Sequence, residues 1–217
     1  MKTLECAAIL FDMDGTLIDS TVAVAGAWRK WALQRGLNPE IVIDGGHGRR
    51  TVETIREFAP DMDAEKEARR IESVEAMSID SVTVVPGAAE VLRNLAPEKW
   101  GVVTSATRSM AIARLRDTGL IVPRVLVSAD DVINGKPHPE PYLKGAADLG
   151  FAPEQCVVFE DAPAGILSAR AAGMQVIGVL TTYPPEVLQG VSEVIEDFRK
   201  VRIEQNNNGI LQITLKN

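Results

Sequence analysis

Five short apolar runs punctuate this chain, and most of them alternate with helical patterns. The runs are Cys6–Phe11, Trp100–Thr104, Arg124–Ser128, Cys156–Phe159 and Gln175–Val179. Between the later ones lie helical stretches near Ser109–Thr118, Pro139–Leu149 and Pro163–Ala172. A strand that is apolar on both faces must be covered on both, and strands joined through helices run parallel. The alternation therefore predicts an α/β protein with a parallel sheet between two helical layers. Gly119, Gly150 and Gly173 each follow a helical run, where a left-handed residue ends a helix well.

Two segments depart from that rhythm. Between Leu17 and about Val85 the pattern is mostly helical, with Ile41-Val42-Ile43 ambiguous between strand and helix. Asp19–Arg35 carries Val22, Ala25, Trp28, Trp31 and Ala32 at helical spacing, while Arg49–Ala59 and Ala64–Met77 are helix-like and charged. Trp28 and Trp31 read as core of this insert, and Pro86-Gly87 resets the chain. At the other end, Val201–Gln205 and Ile210–Leu215 alternate around Asn206–Gly209, which predicts a β-hairpin that extends a sheet edge or makes a dimer contact.

Composition narrows the functional classes. The 217 residues are 46% apolar and 24% charged, with 23 Lys+Arg against 30 Asp+Glu and a net charge of −7. An acidic surface repels phosphate backbones, so nucleic acid is not an expected partner. No apolar run approaches the ~20 residues that span a bilayer, and the N-terminus carries no signal-peptide pattern, so a cytoplasmic protein with no membrane partner is expected. Cys6 and Cys156 sit in apolar runs and read as buried free thiols. Two histidines, His47 and His138, leave little material for histidine-based chemistry, and His138 reads as a loop-surface residue.

Phe11-Asp12-Met13-Asp14-Gly15-Thr16 follows the first strand directly. Ligands in open α/β sheets bind outside the carboxyl ends of the strands. Two aspartates so close repel unless a cation or proton lies between them, and Gly15 permits the tight backbone that leaves the strand. This segment resembles the nucleophile motif of the haloacid dehalogenase-like superfamily of phosphohydrolases. Three further segments occur in that family's order: Val102-Val103-Thr104-Ser105, Gly135-Lys136-Pro137, and Val158-Phe159-Glu160-Asp161-Ala162. The resemblance runs from about residue 6 to about 180, and the whole chain is similar to the small sugar phosphatases, including bacterial sugar phosphatases and the 2-deoxyglucose-6-phosphate and glycerol-phosphate phosphatases.

The resemblance implies a Rossmann-like three-layer sandwich over 1–16 and 86–217, including a C-terminal hairpin at about 200–216, with an inserted α-helical cap of the C1 type over 17–85. It implies a Mg²⁺-dependent phosphatase acting on small phosphorylated metabolites through an aspartyl-phosphate. Asp12 would be the nucleophile and Asp14 the general acid and then base, while Lys136 would pair with the phosphoryl group and neutralise Asp12. Thr104 and Ser105 would donate to phosphate oxygens. Mg²⁺ would be held by Asp12, the backbone carbonyl of Asp14, Glu160 and Asp161, since carboxylates and carbonyls suit this hard ion. Gly15 and Thr16 would shape the loop without reacting.

Ile43–Arg50 is Gly-rich and basic and opens a helix, so it reads as a substrate-facing loop with Arg49 first and His47 second as contacts; an ordinary turn with solvated arginines suits it as well. Asp14 argues against a dehalogenase, which has no leaving oxygen to protonate. A β-phosphoglucomutase-like phosphomutase is the nearest rival, but its hinge histidine corresponds here to Val24. A non-catalytic small-molecule binding module is the alternative from another class; binding alone would not require both aspartates. A monomer or homodimer is expected.

Overall fold

The computed structural model describes residues 2–77 and 81–216. At its centre β2 (Ala8–Phe11), β5 (Trp100–Val103), β6 (Val125–Val127), β7 (Cys156–Glu160), β8 (Gln175–Val179) and β9 (Glu193–Ile195) form a six-stranded sheet in the order β6-β5-β2-β7-β8-β9. Every neighbouring pair in it is parallel. Side chains alternate between faces along a strand, and the two apolar clusters follow that rule. Ile9, Phe11, Val102, Val157 and Phe159 face one side, with Ala88, Val91 and Leu92 of α5 (Ala88–Arg93) and Ala111 and Leu115 of α6 (Arg108–Asp117). Ala8, Leu10, Val103 and Val158 face the other, with Tyr142 and Ala146 of α7 (Glu140–Leu149) and Ile166 and Ala169 of α8 (Pro163–Ala171). The result is a three-layer α/β sandwich. Gly119, Gly150 and Gly173 all have positive φ at helix ends.

The first apolar run is two strands and not one. The chain bends at Ala7, whose amide donates to the Gln155 carbonyl at 2.7 Å. Before the bend, β1 (Lys2–Cys6) pairs antiparallel with β11 (Leu211–Leu215), which pairs in turn with β10 (Val201–Gln205). The C-terminal hairpin thus forms where its alternation and Asn-Gly turn place it, in a separate three-stranded sheet with β1. Leu4, Cys6, Leu211, Ile213 and Leu215 face the cluster that covers the α5–α6 side of the central sheet. Phe198, just before the hairpin, lies 6.0 Å from the Phe11 ring and 5.2 Å from the Phe159 ring, centroid to centroid.

Between β3 (Ile18–Asp19) and β4 (Thr83–Val84), which pair antiparallel, the chain builds a helical unit with its own apolar core. Its helices are α1 (Thr21–Leu33), α2 (Pro39–Gly46), α3 (Thr51–Phe58) and α4 (Ala64–Ala76). Trp28 and Trp31 meet edge to face at 5.5 Å within that core, as their helical spacing requires. The ambiguous Ile41–Ile43 belongs to α2, because Asn38 caps the Glu40 amide and Pro39 occupies the first turn. Gly45 and Gly46 end the same helix and are not part of an open loop. A Cβ on Gly45 would sit 2.7 Å from the Phe58 ring, and one on Gly46 2.7 Å from the Thr54 methyl, so both glycines allow α2 to lie against α3. Among the described residues no helix is long and apolar enough to cross a membrane.

Phe198 ties the C-terminal hairpin to the two strands that carry Asp12 and Glu160. Phe198→Ala is predicted to destabilise the fold by about 3–5 kcal/mol, read from urea unfolding. A loss below about 1 kcal/mol would show that the hairpin anchors itself without this ring.

Candidate active site

Parallel strands end along one edge, and the chemistry-bearing residues gather there. Asp12 follows β2, Thr104 follows β5, Glu160 ends β7, and Thr181 and Thr182 lie just beyond β8. Lys136 enters from the segment between β6 and α7. Its ammonium donates to Asp12 Oδ1 at 2.5 Å, Glu160 Oε1 at 2.7 Å and the Val103 carbonyl at 3.0 Å, with the side chain 1% exposed. Burial works against that charge, but Asp12 and Glu160 outweigh it and hold the lysine pKa above its usual range. Burial raises the Asp12 carboxyl well above its ordinary value; Lys136 opposes the rise, and Glu160 and Asp161 add to it.

Glu160 has both oxygens engaged. Oε1 also accepts from the Tyr142 hydroxyl at 3.0 Å, and Oε2 from the Ala162 amide at 3.0 Å. Asp161 accepts from Thr16 at 3.2 Å on Oδ1 and from Thr182 at 2.5 Å on Oδ2, where His47 Nε2 also lies 3.1 Å away. Gly15, at φ 86°, passes so close that a Cβ there would lie 2.1 Å from Asp161 Oδ2. Asp12, Glu160 and Asp161 offer ligand atoms within 4.8 Å of one another. Three acidic side chains meet one ammonium in a buried place, and their oxygens suit a hard divalent cation. The donor set therefore fits such an ion.

The Asp14 carboxylate is turned elsewhere. Its Oδ1 accepts from Ser20 Oγ at 2.7 Å and from Arg114 Nη1 at 2.7 Å. Arg114 Nη2 continues to Glu75 Oε2 at 2.9 Å, on α4 of the helical unit. Burial pushes the Glu75 carboxyl up to about 7, with Arg114 opposing the shift. Thr104 Oγ1 accepts from the Ala106 amide at 3.1 Å, and Ser105 Oγ donates to the Gly48 carbonyl at 2.8 Å. Arg49 donates to Glu57 at 2.5 Å and to the Gly45 carbonyl at 3.1 Å, while its Nε is buried without a partner among the described residues.

A cavity of about 300 Å³ lies between the central sheet's edge and the helical unit. Asp12, Asp14, Thr104, Ser105, His47 and Arg49 all line it, so the structure gathers these six sequence candidates into one place. Lys136, Glu160 and Asp161 lie buried beneath. Trp28 belongs to the helical unit's core and also borders the cavity. His138 is on the surface, its side chain 52% exposed.

Sequence reasoning missed Arg114, Glu75, Tyr142, Thr182 and Tyr183, which stands edge to face with His47 at 5.5 Å. For some of these a signal existed. Arg114 lies on the same face of α6 as Ala111 and Leu115, and a cation in an apolar stripe needs a buried partner. Thr181-Thr182-Tyr183 follows an apolar strand directly, the place where Asp12 and Thr104 were found.

A family model described as haloacid dehalogenase-like hydrolase matches residues 9–179. Hexitol phosphatase A of Escherichia coli is 41% identical over 95% of this chain and 98% of its own length. Glycerol-1-phosphate phosphohydrolase 2 of Saccharomyces cerevisiae is 38% identical over 93% of this chain and 86% of its own. Among solved structures, a β-phosphoglucomutase from Clostridium difficile superposes with a TM-score of 0.79 at 26% identity, covering 91% of this chain and 93% of that one.

The Glu75 environment has a thermodynamic consequence. With its pKa raised from 4.5 to about 7, the folded state holds this proton more tightly than the unfolded chain does. That contribution to stability is present below pH ~4.5 and is lost as pH rises through about 7. Glu75→Gln cannot undergo the loss. Its stability relative to wild type is predicted to improve between about pH 5 and about pH 8, by up to roughly 3 kcal/mol. Urea unfolding at both values measures it; a pH-independent difference would contradict the raised pKa.

Proposed function

The chain belongs to the haloacid dehalogenase-like hydrolases and is a phosphoric monoester hydrolase, and from that premise we propose that it hydrolyses the phosphate monoester of a small sugar or polyol through an aspartyl-phosphate. One observation carries the mechanism: Asp12 at a strand end, 2.5 Å from a buried ammonium and beside two more carboxylates. An Asp12 oxygen attacks phosphorus in line with the ester oxygen, and the bond to that oxygen breaks. Asp14 gives its proton to the departing alkoxide. Asp14 then takes a proton from water, whose oxygen attacks the phosphoryl group, releasing phosphate and restoring Asp12.

Lys136 meets the phosphoryl oxygens while keeping Asp12 aimed. Asp12, Asp161 and the Asp14 carbonyl would hold Mg²⁺, which when bound offsets charge on the phosphoryl oxygens. Glu160 would join them at the ion while also holding Lys136 and Tyr142. The helical unit acts as the cap: Gly48, His47 and Asp44 already reach Ser105, Asp161 and Tyr183 across the cavity. Arg49, which lines the cavity, contacts the leaving group or the phosphoryl oxygens. The substrate class is supported by the two relatives, whose names describe a hexitol phosphatase and a glycerol-1-phosphate phosphohydrolase. A soluble metabolite in the cytoplasm is the partner this reading requires.

A second reading, a phosphomutase, is favoured by the likeness to β-phosphoglucomutase. Val24 lines the cavity in place of a group that would gate proton transfer, so water reaches the intermediate and hydrolysis prevails. Release of inorganic phosphate equal to the substrate consumed separates the two.

Asp12→Asn is predicted to lower turnover of glycerol 1-phosphate and p-nitrophenyl phosphate by more than ~10³-fold with the fold retained, since loss of a single stabilising donor alone costs ~10²–10³ in comparable sites. Activity within tenfold of wild type would refute the nucleophile assignment. Asp161→Ala is expected to raise the Mg²⁺ concentration needed for half-maximal activity, and EDTA dialysis to silence the wild type reversibly. Turnover that survives dialysis would remove the metal from the mechanism.

A further inference from the structure

Arg114 stands outside the four motif segments, yet it touches the residue that must handle the proton. It rises from α6 of the sandwich with its side chain 5% exposed. One nitrogen meets Asp14 Oδ1 at 2.7 Å, and the other meets Glu75 Oε2 at 2.9 Å. Glu75 belongs to α4 of the helical unit and its side chain is 6% exposed. A planar guanidinium fixes the directions of its donors, so holding one end orients the other. The Asp14 carboxylate is otherwise held, among the described residues, only by the Ser20 hydroxyl on that same oxygen. Its Oδ2 makes no hydrogen bond among them, and Asp14 lies in the cavity wall.

We propose that Arg114 is a positioning residue for Asp14, and that Glu75 makes this positioning depend on where α4 sits. The inference rests on the general-acid role given above to Asp14. With α4 in place, Glu75 holds the guanidinium, the guanidinium holds Asp14 Oδ1, and Oδ2 is left facing the leaving oxygen. When α4 moves away, the guanidinium loses one of its two anchors and Asp14 loses its fixed direction. The acid is then aligned only while the helical unit covers the substrate. Misplacing a reacting group by an ångström costs on the order of 10²-fold, so this link acts on rate without contacting the substrate.

The test exploits leaving groups. An alkoxide departs poorly without a proton, whereas p-nitrophenolate departs without one. Wild type, Arg114→Met, Glu75→Leu and Glu75→Gln are compared on glycerol 1-phosphate and p-nitrophenyl phosphate. For Arg114→Met, kcat on glycerol 1-phosphate should fall at least about tenfold, as expected for a displaced general acid. Its single-turnover release of p-nitrophenolate, the step that needs no proton from Asp14, should change less than about threefold, and KM on glycerol 1-phosphate should rise less than about threefold. Glu75→Leu should show the same selective loss, and Glu75→Gln, whose amide oxygen still accepts from Arg114, a smaller one.

Equal losses of the single-turnover rate on both substrates would overturn the proposal, placing Arg114 in phosphoryl binding or folding. Unchanged kcat would also overturn it, and so would a loss confined to KM. If Arg114→Met does not fold, the Glu75→Leu and Glu75→Gln pair decides, and indistinguishable behaviour of those two on glycerol 1-phosphate overturns the link to α4. Wild type is measured first: failure to cleave either substrate defeats the proposed function and removes the acid to be positioned, an outcome distinct from an unselective variant.

Discussion

An ammonium buried among carboxylates organises this protein. Lys136 holds Asp12 and Glu160 through a single nitrogen, and it reaches them from a different chain segment than either. Stranding any member without the others would leave a charge in a place water does not reach, at a cost of several kcal/mol. The ends of β2 and β7 and the segment before α7 are thereby locked together. Tyr142 adds its hydroxyl to Glu160 and its ring to the lysine at 5.0 Å. The same arrangement gathers three acidic side chains, whose oxygens suit a divalent cation.

Close approach makes this geometry possible. A Cβ at Gly165 would lie 1.5 Å from Glu160 Oε1, so the start of α8 comes against the strand only because that side chain is absent. Gly15 plays the equivalent part for Asp161. Two acids adjacent in the sequence thus have distinct surroundings. Glu160 faces the lysine and the tyrosine, and Asp161 faces the threonines and His47.

Much of this was legible because the central sheet obeys local rules. Apolar runs buried on both faces became the strands of a parallel sheet, and the residues after β2 and β5, Asp12 and Thr104, line the cavity. The hairpin was legible from alternation about an Asn-Gly turn. Other features depended on tertiary context. The break at Ala7 follows from a hydrogen bond to Gln155 and from pairing with a strand far along the chain. Ile41–Ile43 has strand-like composition, and only its cap and its neighbours made it helical. Arg114 and Glu75 are separated in sequence; the apolar stripe around Arg114 signals a buried partner, but which residue supplies it is set by tertiary contact. Asp14 was found by motif, but the contacts of its carboxylate, with Ser20 and with the distant Arg114, were not.

The pairing of β1 with β11 has a bearing on how the chain is made. β1 emerges long before its hydrogen-bonding partner, which comprises residues 211–215. Contacts of such sequence separation require closing nearly the whole chain, which slows their formation. During synthesis the edge of β1 stays open, while β2 and the later strands of the central sheet are laid down. The small antiparallel sheet can be sealed only after Leu215 has left the ribosome, and a stalled or truncated chain would present an unpaired edge to its neighbours.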